Sequence, residues 1–174
     1  IVSFKELQYF TGLGSGLLFT GCTSLREIVF KDISAGGLGD IIRDCPALTY
    51  ALFDNVTING QSGYFANGSG NGGSLIFQHC TFSSNFTRGY NTFSCGFDVI
   101  DFSTSNGLVI NGTDMFRGFS GRIIKFKDGT GYEGTPTRPF YQNGIVAVMG
   151  WLDLTNAPDV HNMPNSENVR RWEG

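Results

Sequence analysis

Charge is scarce in this sequence, and so are histidine, methionine, proline and long apolar runs. Asp, Glu, Lys and Arg make up 16% of 174 residues, and 12 basic against 15 acidic residues leave a formal net charge of -3. Without a basic stripe there is no electrostatic footprint for nucleic acid, and Arg170-Arg171 reads as a solvated tail. The longest apolar run, Ile145 to Met149 followed by Gly150, Trp151 and Leu152, is far too short to span a bilayer, so no membrane span is expected. The two histidines, His79 and His161, and four cysteines with no Cys-x-x-Cys pair argue against a structural zinc site, and neither metal nor cofactor is expected. Leucine occurs 12 times, fewer than phenylalanine, which argues against a helical bundle or coiled coil. No charged segment followed by an apolar core marks a signal peptide, and the chain, which starts at Ile1, reads as a piece of a longer protein.

Aromatics and glycine are what the sequence has in excess. Phe 16, Tyr 6 and Trp 2 give 24 aromatic residues, and Gly 25 is about twice the average share. A hydrophobic content of 40% is ample for burial and excludes intrinsic disorder. The length fits one domain with a real core. Glycine, asparagine, serine and phenylalanine in bulk point to many short strands joined by many turns.

A repeat organises these residues. Leu25-x-x-Ile28-x-Phe30-x-x-Ile33 is followed by Leu48-x-x-Ala51-x-Phe53-x-x-Val56 and Gly72-x-x-Leu75-x-Phe77-x-x-Cys80. Further copies are Phe97-x-x-Ile100-x-Phe102, Gly121-x-x-Ile124-x-Phe126 and Val146-x-x-Met149-x-Trp151-x-x-Leu154, and an earlier one is Phe4-x-x-Leu7-x-Tyr9. These seven copies recur at intervals of 21 to 25 residues. Spacing by two within each copy is the period of a strand with one face buried. One unit cannot bury its own face, so neighbouring units must stack into a continuous core. Stacking puts Tyr9, Phe30, Phe53, Phe77, Phe102, Phe126 and Trp151 in one internal column. Cys22, Cys45 and Cys95 share a second phase, with Gly70 near the skipped place, and Cys80 falls in another column beside Val56. They read as a ladder of small buried thiols, with disulfides between neighbouring rungs as the alternative.

The pattern, with its period, is the leucine-rich-repeat signature. Phe19-Thr20-Gly21-Cys22-Thr23-Ser24-Leu25-x-x-Ile28 resembles the repeat of the bacterial BspA-type leucine-rich-repeat family, with its Phe-x-x-Cys-x-x-Leu core. Ile42-Arg43-Asp44-Cys45-Pro46-Ala47-Leu48 is a looser copy, and Ser3 to Leu13 looks like the start of such an array. The resemblance covers residues 1 to 58. It implies short parallel strands, short helical turns opposite them, and a surface role in adhesion or recognition. Leu38 to Cys45 suits one such helix. The later connections are rich in Gly, Asn, Ser and Thr, and two strands per coil there read as a right-handed parallel β-helix. The expected fold is therefore a leucine-rich-repeat solenoid of about seven parallel short strands, with the right-handed parallel β-helix as alternative. Residues 1-154 form the solenoid. Residues 155-174 are a C-terminal cap or linker, in which Asn165 or Ser166 starts a short helix through Trp172.

Function is then expected on the outward face of the strands. Gln8, Val29, Leu52, Ile76, Asp101, Lys125 and Gly150 form the central outward column. Glu27, Tyr50, Ser74, Val99 and Ile123 flank it on one side, with Phe10, Lys31, Asp54, Gln78, Ser103 and Lys127 on the other. The candidate binding residues are Phe10, Val29, Tyr50, Leu52, Ile76, Asp101 and Lys125. An apolar strip on an exposed sheet marks a partner surface. A protein or a second copy is the expected partner, and a glycan is possible. For catalysis, Asp98, Asp101, Asp128 and Glu133 are the only carboxylates gathered near the later strands, and they read as solvated or turn-forming. No Gly-x-Ser-x-Gly elbow, phosphate loop or nucleophile-base pair is present, so no catalytic residue is expected. The expected function is a non-catalytic recognition or adhesion module, extracellular or on a bacterial cell surface. The alternatives are a structural or receptor-binding component of a phage particle, in the virion, and a polysaccharide-cleaving β-helix enzyme.

Overall fold

The computed structural model describes residues 2–4, 12–13, 19–36, 41–59, 65–83, 92–110, 115–132, 146–150, 152–153 and 169–173. All the strands among them pair in parallel. The main sheet has eight strands: β1 (Ser3–Phe4), β4 (Glu27–Lys31), β7 (Tyr50–Asp54), β10 (Ser74–Gln78), β12 (Val99–Asp101), β14 (Ile123–Lys125), β16 (Val146–Met149) and β18 (Val169–Glu173). A second sheet takes β2 (Gly12–Leu13), β5 (Ser34–Gly36), β8 (Thr57–Asn59) and β11 (Thr81–Phe82). A third takes β3 (Phe19–Thr20), β6 (Ile42–Arg43) and β9 (Ala66–Asn67), and a fourth takes β13 (Val109–Ile110), β15 (Thr130–Tyr132) and β17 (Leu152–Asp153). Successive coils thus add rungs to the main sheet throughout, to the second and third sheets in the earlier coils and to the fourth in the later ones, and the described residues form a parallel β-solenoid.

There is no helix among the described residues. The described part of the expected helix Leu38 to Cys45 carries β6, which pairs with β3 and β9. Residues 169–173 likewise form a strand opposite β16 where a helix was expected. The reason is common to both places. A rung added to an existing sheet pairs backbone groups along its whole length with the strand before it, whereas a short helix leaves most of its donors and acceptors, those of its ends, unpaired.

Register makes the repeat more uniform than the aromatic pattern predicts. Phe4 lies opposite Ile28, where the pattern puts Leu7, and Val148 lies opposite Ile124, where the pattern puts Met149. Ile28, Ala51, Leu75, Ile100 and Ile124 follow in register, and Trp172 lies opposite Val148. The intervals become 24, 23, 24, 25, 24, 24 and 24 residues, over eight rungs. The inward aromatic column holds from Phe30 to Phe126. Phe30–Phe53, Phe53–Phe77, Phe77–Phe102 and Phe102–Phe126 stack at centroid distances of 4.4, 5.0, 4.8 and 5.9 Å, all within 15° of parallel. Two residues past Val148 the column position is Gly150, with φ +88°, and a Cβ there would lie 2.3 Å from the Phe126 carbonyl oxygen. Gly150 thus takes the column place, and the expected column members Trp151 and Tyr9 lie outside the described residues.

A second aromatic file faces the first. Phe65, Phe93 and Phe116 are buried, and Phe93 and Phe116 stack at 5.3 Å. Phe65 packs on Phe53 and Phe77, and Phe93 on Phe77 and Phe102. Among the described residues there are 13 phenylalanines, and 11 of them are buried. At about 1.5–3 kcal/mol for each buried side chain, they dominate the core.

Corners complete each coil. Asp32, Asn55 and His79 stand on successive rungs with φ of 55, 53 and 53°, and Asp44 at another corner has 52°. Asp, Asn and His are the non-glycine residues that tolerate this left-handed backbone best. The Asn55 amide donates to Asp32 Oδ1 at 2.7 Å, tying one corner to the next. At Gly73, φ +70°, a Cβ would lie 1.9 Å from the Thr49 carbonyl oxygen, so only glycine closes that turn.

Candidate functional site

Alternation along each strand sends one file inward and the next outward. On β4, β7 and β10 the burial pattern shows it: Ile28, Ala51 and Leu75, then Phe30, Phe53 and Phe77, are buried, and the residues between them are half-buried. The outward file is Val29, Leu52, Ile76, Asp101, Lys125 and Met149, each opposite the next in register. Met149 takes the place expected for Gly150. The flanking file is Glu27, Tyr50, Ser74, Val99, Ile123 and Ala147. On the other side, Lys31, Asp54 and Gln78 are in register. Val29, Tyr50, Leu52, Ile76, Asp101 and Lys125 are therefore brought together on one sheet face, and Phe10 lies outside the described residues. None of the six is fully open to solvent. Rungs about 4.8 Å apart shade each outward side chain from above and below.

The apolar strip changes column partway along. Val29, Leu52 and Ile76 fill the central file on three rungs, with Tyr50 beside them. On the next two rungs the central places are Asp101 and Lys125, and the aliphatic side chains are Val99 and Ile123 in the flanking file. The strip is diagonal, and it ends near Met149, which is 37% exposed. Val99 and Ile123 stand outside the central column, and Met149 lies back in it, opposite Lys125.

Charges on this face are paired across rungs. Lys125 Nζ lies 3.1 Å from Asp101 Oδ2, and Arg122 lies 3.1 Å from Asp98. Asp54 lies 3.5 Å from Lys31 and 3.4 Å from His79 Nδ1. Burial pushes the Asp101 carboxyl up. The hydrogen bonds that it accepts from Ser103 Oγ and N, at 2.6 and 2.9 Å, together with the Lys125 ammonium, outweigh that and hold it below its ordinary value. Asp128 lines a groove of 230 Å³ between the corner turns 105–108 and 127–130, where Lys127 also donates to the Asn106 side-chain oxygen. The groove is smaller than the roughly 300–1,000 Å³ of pockets for drug-sized ligands. Glu133 lies outside the described residues. Among the described residues, no three His, Cys, Asp or Glu side chains cluster as a metal site. Nor is any helix there long and apolar enough to cross a membrane.

The cysteines are free thiols. Cys45, Cys80 and Cys95 are buried and Cys22 is half-buried. Burial pushes the Cys80 thiol up to about 11 and Cys95 up to about 12. Ser69, not Gly70, continues the column after Cys45: it is fully buried and its Oγ accepts from Cys45 N at 3.0 Å. Cys80 and Ser105 are matched likewise on another corner, donating to the carbonyls of Phe53 and Phe77 at 3.2 and 2.7 Å.

The fold and this face define a parallel β-solenoid with a partly aliphatic sheet surface. Comparison with protein-family models, curated proteins and solved structures finds no match for the chain.

Proposed function

We infer that the chain is a non-catalytic recognition module that binds a protein partner, or a second copy of itself, through the outer face of the main sheet. The observation that carries this reading is the strip Val29, Leu52, Ile76, Val99 and Ile123, one aliphatic outward residue on each of five successive rungs, which steps to the flanking file between Ile76 and Val99. Solvated sheet faces alternate to polar residues, and an aliphatic outer strip is the signature of a surface that meets another surface. The strip has one tyrosine and no tryptophan, which favours protein over glycan. Sedimentation of the wild type and Leu52→Glu over a concentration series tests it. Leu52→Glu should shift the monomer–dimer equilibrium toward monomer; equal association in both proteins overturns the self-association form of the reading.

Charge pairing supports a non-catalytic role. A glycosidase needs one carboxyl raised so that it can donate a proton. Asp98 and Asp101 each face a cation on the next rung, and Asp101 is held low. For the finer fold class, the absence of helix among the described residues and the left-handed corner ladder Asp32–Asn55–His79 favour the right-handed parallel β-helix over the leucine-rich repeat. The BspA-like wording of residues 1–58 supports an extracellular or cell-surface setting. The main sheet of eight parallel rungs favours, as a second reading, a structural or receptor-binding component of a phage particle. Electron microscopy of wild-type assemblies separates the two readings: ordered fibres support the second, discrete dimers the first.

A further inference from the structure

Two of the four thiols stand on adjacent rungs in register. Phe19 and Thr20 of β3 lie opposite Ile42 and Arg43 of β6, and the pairing runs on one residue, with Gly21 N donating to the Arg43 carbonyl at 3.0 Å. Cys22 is thereby brought opposite Cys45. Rungs stack about 4.8 Å apart, inside the roughly 4.4–6.8 Å between Cα atoms that a disulfide bridges. The Cys45 Sγ lies 3.3 Å from the Arg43 carbonyl and 3.7 Å from the Phe19 carbonyl, so it leans toward the coil that carries Cys22. Cys22 Sγ lies 3.8 Å from the neighbouring carbonyl, Thr20. The backbone and the thiol of Cys22 both bear on the Cys45 sulfur. The other two cysteines lack such a neighbour in register: Cys80 stands between Val56 and Ser105, and Ser69 occupies the place beyond Cys45.

We propose that Cys22 and Cys45 form an oxidisable pair, closed to a disulfide by thiol–disulfide exchange with a small disulfide such as oxidised glutathione. Solvent reaches Cys22, which is half-buried, and not Cys45. The Cys22 thiolate attacks one sulfur of the small disulfide, forms the mixed disulfide and releases one glutathione thiolate, which takes up the proton that Cys22 lost. The Cys45 thiol then gives up its proton and attacks the Cys22 sulfur, so that the Cys22–Cys45 bond forms and the second glutathione leaves as thiol. Two thiols are oxidised and one disulfide is reduced. The product joins two coils covalently at the β3–β6 corner and constrains the 22 residues between them. In an oxidising compartment it clips the first coils of the solenoid; in a reducing one the thiols stay open.

The experiment uses the whole chain, folded, in oxidised glutathione. It is then denatured, alkylated, digested and mapped by mass spectrometry. The expected result is a Cys22–Cys45 linked peptide, with Cys80 and Cys95 alkylated. Cys45→Ser, which copies the Ser69 of the next rung, should instead stop at glutathione on Cys22. The oxidised wild type should melt at a higher temperature than the same protein after reduction. Alkylation of Cys45 in the oxidised wild type, with Cys22 either alkylated too or carrying a stable glutathione, overturns the proposal.

Discussion

Each rung of the main sheet carries two files of side chains with opposite rules. The inward file from Phe30 to Phe126 holds an aromatic on five rungs in succession, and the outward file beside it runs Val29, Leu52, Ile76, Asp101 and Lys125. Inside, Phe53, Phe77 and Phe102 each have stacked neighbours 4.4–5.9 Å above and below, so a change of size on one of these rungs is felt by two others. Outside, a rung needs only to suit its two neighbours, and two solutions appear: aliphatic on aliphatic, or carboxylate on ammonium. Uniformity therefore belongs to stability, and variation to whatever meets the surface.

The largest effect is expected inside. Phe77 stacks between Phe53 and Phe102, and also touches Phe65, Phe82 and Phe93. Phe77→Ala should cost about 3–5 kcal/mol, read from denaturant unfolding. Its outward neighbour on the same strand sharpens the contrast: Ile76→Ala should cost well under half as much. Equal losses would break the distinction and mean that Ile76 is covered in the folded chain as a core residue is.

Corners come next. Gly73 and Gly21 both have positive φ, 70 and 65°. A Cβ at Gly73 runs into the Thr49 carbonyl at 1.9 Å, while at Gly21 it meets nothing within 4 Å. Gly21→Ala should cost only the left-handed backbone, about 1–2 kcal/mol. Gly73→Ala carries the steric overlap as well, and its unfolding midpoint should fall further. Equal midpoints would show that the β7–β10 corner relaxes without cost.

The inward column, the outward file and its Tyr50 flank were legible in the sequence wherever strand alternation and rung spacing coincide, from Ile28 to Lys125, while the opposite flank is in register only from Lys31 to Gln78, since β12 and β14 end before Ser103 and Lys127. The two ends were not. Seeking an aromatic in every copy drew the first one to Leu7-x-Tyr9 and the last to Met149-x-Trp151, whereas backbone pairing selects Phe4 and Val148. A more even interval was the available signal. Phe65, Phe93 and Phe116 were hidden because their segments lack alternation, so burial there comes from stacking across coils. The diagonal course of the aliphatic strip was also hidden, since it depends on two columns read together.

A smaller effect on folding, with a larger one on assembly, is expected at Leu52. The side chain is half-buried between Val29 and Ile76. Leu52→Glu should leave far-UV circular dichroism unchanged and unfolding within about 1 kcal/mol of wild type, while weakening self-association. Lys125→Glu is the partner test on the charged half of the same file. If it weakens association as much as Leu52→Glu does, the aliphatic strip is not the determinant.

The smallest effect falls on the ion pair that replaces the aliphatic contact. Asp101 accepts from Ser103 and faces Lys125 at 3.1 Å, and its folded carboxyl titrates below its ordinary value. Its stabilising contribution is therefore fully present above the unfolded value of about 3.9 and is lost as pH falls through the lower folded value. Asp101→Asn should remove about 0.2–1 kcal/mol at neutral pH, the range of a partly exposed pair. It should also flatten the acid limb of the stability curve, measured by urea unfolding between neutral and strongly acidic pH. An unchanged acid limb would assign the low titration to a hydrogen bond that survives in the unfolded chain, through the nearby Ser103. The outward file would then gain nothing from charge pairing, and only its aliphatic half would carry free energy.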